Sequence, residues 1–423
     1  MTAPTRLLII GYVWPEPRSS AAGTHMMQLI EQFQLNGYEI IFASPAQLSD
    51  KRADLNALGI TEKIIALNCS SFDSWVKELN PDIVLFDRFM MEEQFGWRVA
   101  EQCPQALRIL ETSDLHSLRE VRQHLSKKNP ENIPDPSPAA LYAEMATQDM
   151  AQREIASIYR SDLSLIISDF EMNLLINQFR VPENLLCYCP FMLDAPDTPQ
   201  WPTYDQRKDF ISIGNFLHAP NWDAVLWLKQ SIWPLIRKQL PDAQLFIYGA
   251  YTPQKALDLH NPQQGFHVLG WIEDAMRVMQ QARVCLAPLR FGAGIKGKLV
   301  DAMLCGTPSV TTTIGAEGLY LSEQVHNTAE TFANAAVKLC NDQKIWAQAQ
   351  QNGFALLKQH FNKQTVGDNL IRQIQFVREN PELHRQTNFT GLMLQHHQHK
   401  STKYMARWIE TKNKMAAEKS GDL

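Results

Sequence analysis

The sequence lacks several features, and each absence narrows the field. No apolar run in its 423 residues approaches the eighteen or so that a membrane-spanning helix needs. No Cys-x-x-Cys pair and no zinc-finger histidine spacing accompany the seven cysteines at Cys69, Cys103, Cys187, Cys189, Cys285, Cys305 and Cys340, so reduced thiols held by packing are expected. Cys187 and Cys189 lie two apart on a strand-like run and so share one face. No Asp-x-Asp occurs, so the usual carboxylate pair for a nucleotide-bound divalent cation is missing and no metal site is expected. Charge of one sign is not in excess: 40 basic against 45 acidic residues give −5, which offers nucleic acid no general attraction. The first charge, Arg6, precedes a strand-like run and not a signal-peptide core, so a cytoplasmic chain is expected.

What is present describes a large globular protein. About 45% hydrophobic and 20% charged content can bury the cores of two or three domains. Strand-like runs at 7–11, 39–43, 63–67, 82–86, 107–110, 164–168 and 185–188 alternate with helical stretches, and a second series follows at 210–213, 244–248, 267–269, 283–287 and 309–312. Runs apolar on both faces and separated by helices predict parallel sheets covered on both sides, hence two doubly wound α/β domains. Pro190, Pro196, Pro199 and Pro202 mark a semi-rigid linker. The domains are placed at 1–195 and 196–360, with helices and a polar tail over 361–423. A proline-rich stretch at 129–138 reads as a surface loop before a helical pattern from Ala139 to about Tyr159. In the tail, His396, His397 and His399 read as a solvated segment and not a metal site. Tyr404, Met405, Trp408 and Ile409 share a helical face while Lys403, Arg407, Lys412 and Lys414 fall elsewhere. That pattern suits packing on the first domain, which is the expectation, or contact with an anionic membrane surface.

The densest chemical signal runs from Ala287 to Lys298, APLRFGAGIKGK, between a buried strand and a helix. A glycine-rich turn at a helix start offers unpaired N–H groups and a positive dipole end to an anion, and small residues let a phosphate come close. A tight turn alone accounts for the glycines but not for Lys296 and Lys298 beside them. Gly292, Gly294 and Gly297 satisfy GxGxxG with Glu317 about twenty residues beyond, yet a dinucleotide fingerprint belongs in a domain's first βα unit and this one comes late. The same stretch matches GxxxxGK, but Leu299 stands where a magnesium-binding hydroxyl is required. Asp301 follows Gly297 by one turn on the same helix face, and a carboxylate there can accept both ribose hydroxyls of a nucleotide whose diphosphate rests on the helix end. An exposed helix aspartate is the plain alternative.

The first half offers candidates at strand ends. Gly11–Gly23 runs from the first strand into a helix beginning at Thr24, either as a cleft wall or as a loop crossing the sheet end. Asp114 and His116 follow a strand, where parallel sheets place their ligand groups. Asp87 and Arg88, with Glu92 and Glu93 on the next helix, are acceptor-side candidates or a surface ion-pair group.

Three stretches carry a family likeness: Gly11–Gly23, then Phe291-Gly-Ala-Gly-Ile-Lys-Gly-Lys-Leu-Val-Asp-Ala-Met303, then Gly306-Thr-Pro-Ser-Val310 followed by Ile314-Gly-Ala-Glu-Gly-Leu319. On these, residues 5–375 resemble glycosyltransferase family 4, retaining enzymes of the GT-B fold. The resemblance implies two Rossmann-like domains facing across a cleft, with C-terminal helices crossing back onto the first. It also implies sugar transfer from a nucleoside-diphosphate sugar to a hydroxyl on a glycan or lipid-linked acceptor, with no metal or other cofactor. In that family a Glu-x7-Glu pair spans the glycine turn and its helix; here Asp301 holds the second position and Ala293 the first. The family's Arg and Lys around the loop Gly214–Asn221 are absent, and Lys296, with Arg290 or Lys298 behind it, is the expected replacement.

By resemblance, the donor site comprises Gly214 and Asn215, Gly270 and Trp271 beside the base, and Arg290, Gly292, Ala293, Gly294, Ile295, Lys296 and Asp301 around the diphosphate and ribose. Trp271 as a core residue is the alternative. The acceptor side comprises Gly11, Gly23, Thr24, Asp87, Arg88, Asp114 and His116. Catalysis is expected of Lys296 on the leaving diphosphate, Asp301 on the ribose and His116 between acceptor and donor. The expected partners are the nucleotide sugar, its acceptor and, peripherally, the cytoplasmic membrane face; the family's common setting is cell-envelope polysaccharide assembly. A GT-B epimerase, a non-catalytic sugar-nucleotide scaffold and an NAD(P)-dependent oxidoreductase are the competing readings.

Overall fold

The computed structural model describes residues 4–128, 133 and 136–421, without the side chains of 398–400 and 417–421. Much of the 129–138 loop and the side chain of His399 lie outside the described residues. Seven strands, β1 (Arg6–Ile10), β2 (Glu39–Ser44), β3 (Thr61–Ile64), β4 (Ile83–Asp87), β5 (Leu107–Glu111), β6 (Leu163–Ile166) and β7 (Leu186–Tyr188), form one parallel sheet in the order β3-β2-β1-β4-β5-β6-β7. Five more, β8 (Lys208–Ile213), β9 (Leu245–Tyr248), β10 (Phe266–Gly270), β11 (Ala282–Ala287) and β12 (Ser309–Thr311), form a second parallel sheet in the order β10-β9-β8-β11-β12.

All twelve expected runs are strands, with ends moved by at most three residues. The expected run 63–67 moves most: β3 has a single neighbour, β2, and Ile64 and Leu67 remain 65% and 47% exposed at this edge. The helical pattern from Ala139 divides into two helices, Pro138–Met145 and Asp149–Arg160.

Alternation along the central strands fills both faces of the first sheet. Leu8, Ile10, Val84, Phe86 and Leu110 bury on one side, and Leu7, Ile9, Ile83, Leu85 and Ile109 on the other. The second side is closed by the helix Lys363–Glu379, which returns from beyond the second sheet and inserts Val366, Leu370, Ile374 and Val377 at a spacing of about one turn. Beyond it, Arg385 forks onto both Asp162 oxygens at 2.8 Å and caps the Pro104 and Ala106 carbonyls at 2.7 Å. Cys187 and Cys189 are buried together in that same layer, as the alternation required.

The long helix Phe389–Gly421 also lies on the first domain, but with its faces assigned differently from the expectation. Among its described side-chain positions Gly391 and Ala406 are buried, whereas Tyr404, Met405 and Trp408 are each at least 64% exposed. Small Ala406 lets the helix sit close, and the bulky residues face outward.

Strand order reverses between β1 and β4 in the first sheet and between β8 and β11 in the second. Crossovers leave such a pair toward opposite faces, so a crevice opens at the carboxyl ends. The loops there are Gly11–Ser20, the turn at Arg88, the loop 214–218 and the turn 288–296.

Candidate functional site

The turn after β11 has the backbone its sequence demands. Gly292 and Gly294 hold φ of 153° and 64°, a region that favours glycine. The helix that follows, Gly297–Leu304, starts at Lys296 without a side-chain cap. Among the described residues, no backbone or side-chain acceptor takes the amides of Gly297 or Lys298. An uncapped helix start at a switch point is an anion-binding arrangement.

The glycines do not leave open space on every side. A Cβ on Gly294 would stand 3.0 Å from the Asp114 Cβ, and one on Gly297 would stand 2.7 Å from the Ala21 Cβ. The neighbour that approaches these backbones closely is the first domain, so smallness here serves domain contact as well as anion access.

The three cations of this stretch part company. Lys296 is buried; its ammonium donates to the Gly294 carbonyl at 2.6 Å and lies 4.0 Å from Glu317. Its side chain thus folds back over its own turn. Arg290 forks onto Asp223, at 2.8 Å for one contact. Lys298 is half-buried and donates to the Asn221 Oδ1 at 2.7 Å, which brings it to the loop after β8. Burial pushes its pKa down to about 8. Asn221 also donates to the Asn215 carbonyl at 2.8 Å and packs so tightly on Gly214 that a Cβ there would meet it at 2.6 Å. The loop Gly214–Asn221 and the helix Gly297–Leu304 are thus one unit.

Asp301, one turn along, is half-buried, and its carboxyl is pushed up to about 7 by burial alone. No hydrogen bond or ion pair reaches that carboxylate among the described residues. Asp301 and Lys298 stand three residues apart on this helix, and so on neighbouring positions of one face. A desolvated acid without donors, beside a desolvated ammonium and an uncapped helix end, is equipped to receive hydroxyl groups and an anion together.

On the first-domain side, Asp87 accepts the Tyr12 amide at 2.9 Å and is raised to about 6 by burial, with Arg88 opposing. It therefore ties down the loop that begins at Gly11. Gly11 leaves no room for a Cβ beside Phe42, while Gly23 donates to Ser20 at 3.0 Å and Thr24 to the Pro17 carbonyl at 3.0 Å. Gly23 and Thr24 shape the loop from behind. Arg88, at φ 71°, lies over the Tyr12 ring. Glu92 and Glu93 are absorbed by Arg160 and Arg153, a structural role in place of the acceptor role considered for them.

His116 Nε2 lies 3.4 Å from Asp114 Oδ1, and Arg119 holds the other oxygen of Asp114. Burial lowers the His116 pKa to about 4, against the pull of Asp114, so the imidazole is neutral near pH 7. At the opposite rim Trp271 is 44% exposed and so is not core. Lys51 of the first domain lies 4.8 Å over Trp271 and 5.4 Å over Tyr251, whose hydroxyl donates to Glu16 at 3.0 Å.

Sequence reasoning missed the residues that join the two halves. Arg122 forks onto Glu317 and donates to the Gly292 carbonyl at 2.9 Å. Glu171 accepts the Gly294 amide at 2.9 Å and the Leu115 amide at 3.1 Å, leaves its second oxygen buried without a partner, and is raised to about 8 chiefly by burial. His218, exposed on the second-domain loop, has its pKa lowered chiefly by desolvation, with Asp114 of the first domain opposing. All three lie on helices or loops with no local motif, and only the fold brings them together. No cluster of three or more His, Cys, Asp or Glu side chains suited to a metal occurs among the described residues.

Comparison with known proteins agrees with this geometry. The family model described as "Glycosyl transferases group 1" matches residues 207–342, the second sheet and its turn. A protein of the cps region of Klebsiella pneumoniae, itself uncharacterised, is 21% identical over 243 residues, which cover 55% of this chain and 60% of that one. The chain thus matches less than two thirds of that curated relative's length. Sucrose-phosphate synthase from Thermosynechococcus elongatus superposes with a TM-score of 0.64 at 15% identity, covering 88% of this chain and 99% of that one. Anabaena HepE, solved with UDP and glucose, gives 0.62 at 14% identity over the same shares. S. aureus TarM, solved with UDP and α-GlcNAc-glycerol, gives 0.55 at 11% identity, covering 71% of this chain and 57% of that one. The chain has the GT-B fold of these solved glycosyltransferases, and its second domain matches the glycosyl transferases group 1 model.

Proposed function

We propose that the protein transfers a sugar, with retention at the anomeric carbon and without a metal, from a nucleoside-diphosphate sugar to a hydroxyl of a glycan or lipid-linked acceptor. The observation that carries the donor assignment is the Asp301 carboxylate, desolvated and without a partner, one turn beyond an uncapped helix start at the switch point. In this reading Asp301 takes the ribose hydroxyls, while the amides of Gly297 and Lys298 and the Lys298 ammonium neutralise the leaving diphosphate. Trp271 and Gly270 border the base. Neutral His116, oriented by Asp114, meets the acceptor and the transferred sugar from the other side of the cleft. Lys298 takes the role first expected of Lys296, because Lys296 is engaged with Gly294 and Glu317. HepE and TarM, solved with UDP, support a nucleotide in a cleft of this fold. The cps-region relative supports a setting in envelope polysaccharide assembly. Glu317, the acid a dinucleotide reading needs, is already paired with Arg122.

Calorimetric titration of UDP, GDP and ADP in EDTA tests this. One nucleoside diphosphate binds, and Asp301→Asn weakens it roughly tenfold to a hundredfold, the worth of about 1.5–3 kcal/mol for a charge-assisted hydrogen bond. Asp301 must be ionised and Lys298 protonated, so affinity rises with pH through about 7 and falls above about 8. Asp301→Asn flattens the acid limb and Lys298→Ala the alkaline one. Binding indifferent to both substitutions overturns the donor site; binding without transfer to any acceptor favours the scaffold reading that Ala293 suggests.

A further inference from the structure

The helix Phe389–Gly421 is fastened by one face and uncovered on the other. Gln395 donates to the Arg160 carbonyl at 2.9 Å, Lys403 pairs with Glu101, and Glu410 accepts the Ser70 hydroxyl at 2.6 Å. These anchors and buried Ala406 fix its rotation against the helices Phe89–Gln102 and Asp149–Arg160. The opposite face presents Met393, Tyr404, Trp408 and Met415, with 46%, 66%, 64% and 55% of their surface exposed. They lie close to one line along the helix, since 393, 404, 408 and 415 are separated by three, one and two turns. Arg407 and Lys412 flank the line, Lys412 lying 5.4 Å over the Trp408 ring.

We propose that this outward face rests on an anionic lipid surface. Of the four basic residues between 401 and 416, Lys403 and Lys414 pair with Glu101 and Glu410, which leaves Arg407 and Lys412 beside the outward line, in a chain whose total is −5. A charge bias of that sign, set beside an exposed Trp and Tyr, matches a headgroup layer over an acyl boundary. A second copy is the poorer occupant, because a two-fold contact sets like charges against one another. Near the anchor of Glu410 on Ser70, Ile64 and Leu67 are also exposed, at and just beyond the end of β3. The surface stands independently of the donor assignment.

Sedimentation of the full chain with vesicles of phosphatidylcholine alone, and of phosphatidylcholine with phosphatidylglycerol, tests it. Binding is expected to the anionic vesicles and to weaken in high salt. Arg407→Ala with Lys412→Ala lowers partitioning roughly thirtyfold, each basic residue near such a surface counting for a factor of about five. Tyr404→Ser with Trp408→Ser lowers it further, with nucleotide binding and the thermal unfolding midpoint unchanged because both side chains are exposed. Equal binding to neutral and anionic vesicles, no binding, or full binding by either double variant overturns the proposal. So does a concentration-dependent dimer that Tyr404→Ser with Trp408→Ser abolishes.

Discussion

Glu171 shows how far a single residue's role depends on neighbours remote in the chain. Its carboxyl takes amides from both domains and lies far from water, which pushes it up to about 8 from an ordinary 4.5. A folded value above the unfolded one means that the neutral form is the stabilised one. Its contribution is complete below about 4.5 and is lost as pH rises through about 8. Thermal unfolding from pH 5 upward is expected to show a falling midpoint and, in Glu171→Gln, a shallower fall, because glutamine keeps the acceptor oxygen and cannot ionise. Glu154 and Asp301, both near 7, keep some slope in the variant. An unchanged slope removes Glu171 from the account. Nothing in the local sequence EMNLL marks this residue, whereas Asp301 was legible because its distance from a glycine turn is fixed by helix geometry. Lys296 and Lys298 were equally legible as cations, but their directions were not: the sequence does not say that one folds onto Gly294 and the other crosses to Asn221.

At the scale of elements, periodicity located every strand because both sheet faces are buried, and it slipped where that condition lapses. β3, at the edge, ends at exposed Ile64, and of the apolar residues beyond it Ile65 is buried and Leu67 exposed. The last helix failed for a related reason: its large apolar side chains were assumed to face the core, and small Ala406 took that place. The glycine turn was read correctly as a turn, yet its crowding was invisible from one domain alone. Gly294→Ala sets a Cβ at φ 64° and 3.0 Å from that of Asp114, at an expected cost of about 1–3 kcal/mol for the backbone alone. Chemical denaturation measures this; a variant as stable as the parent overturns the argument from strain at this turn.

For the whole molecule, the two-domain α/β fold followed from sequence pattern, while the degree of closure came only from contacts across the cleft. Arg122 with Glu317, Glu171 with Gly294, and Tyr251 with Glu16 each join one half to the other. Arg122→Ala removes the central pair and leaves Lys296 to balance Glu317, so the halves are expected to part without unfolding. Small-angle scattering reads a larger radius of gyration against an unchanged circular dichroism spectrum; identical scattering means that the remaining contacts suffice. These bridges form with protein groups alone, and that has a kinetic consequence. If the shut form is the ground state of the free protein, a nucleotide arriving from solution meets a gate. Its observed association rate then climbs with concentration only until it equals the rate of opening, and release passes through the same gate. Under the proposed transfer, turnover cannot exceed that rate, so the hinge between the two sheets sets an upper bound on the cycle.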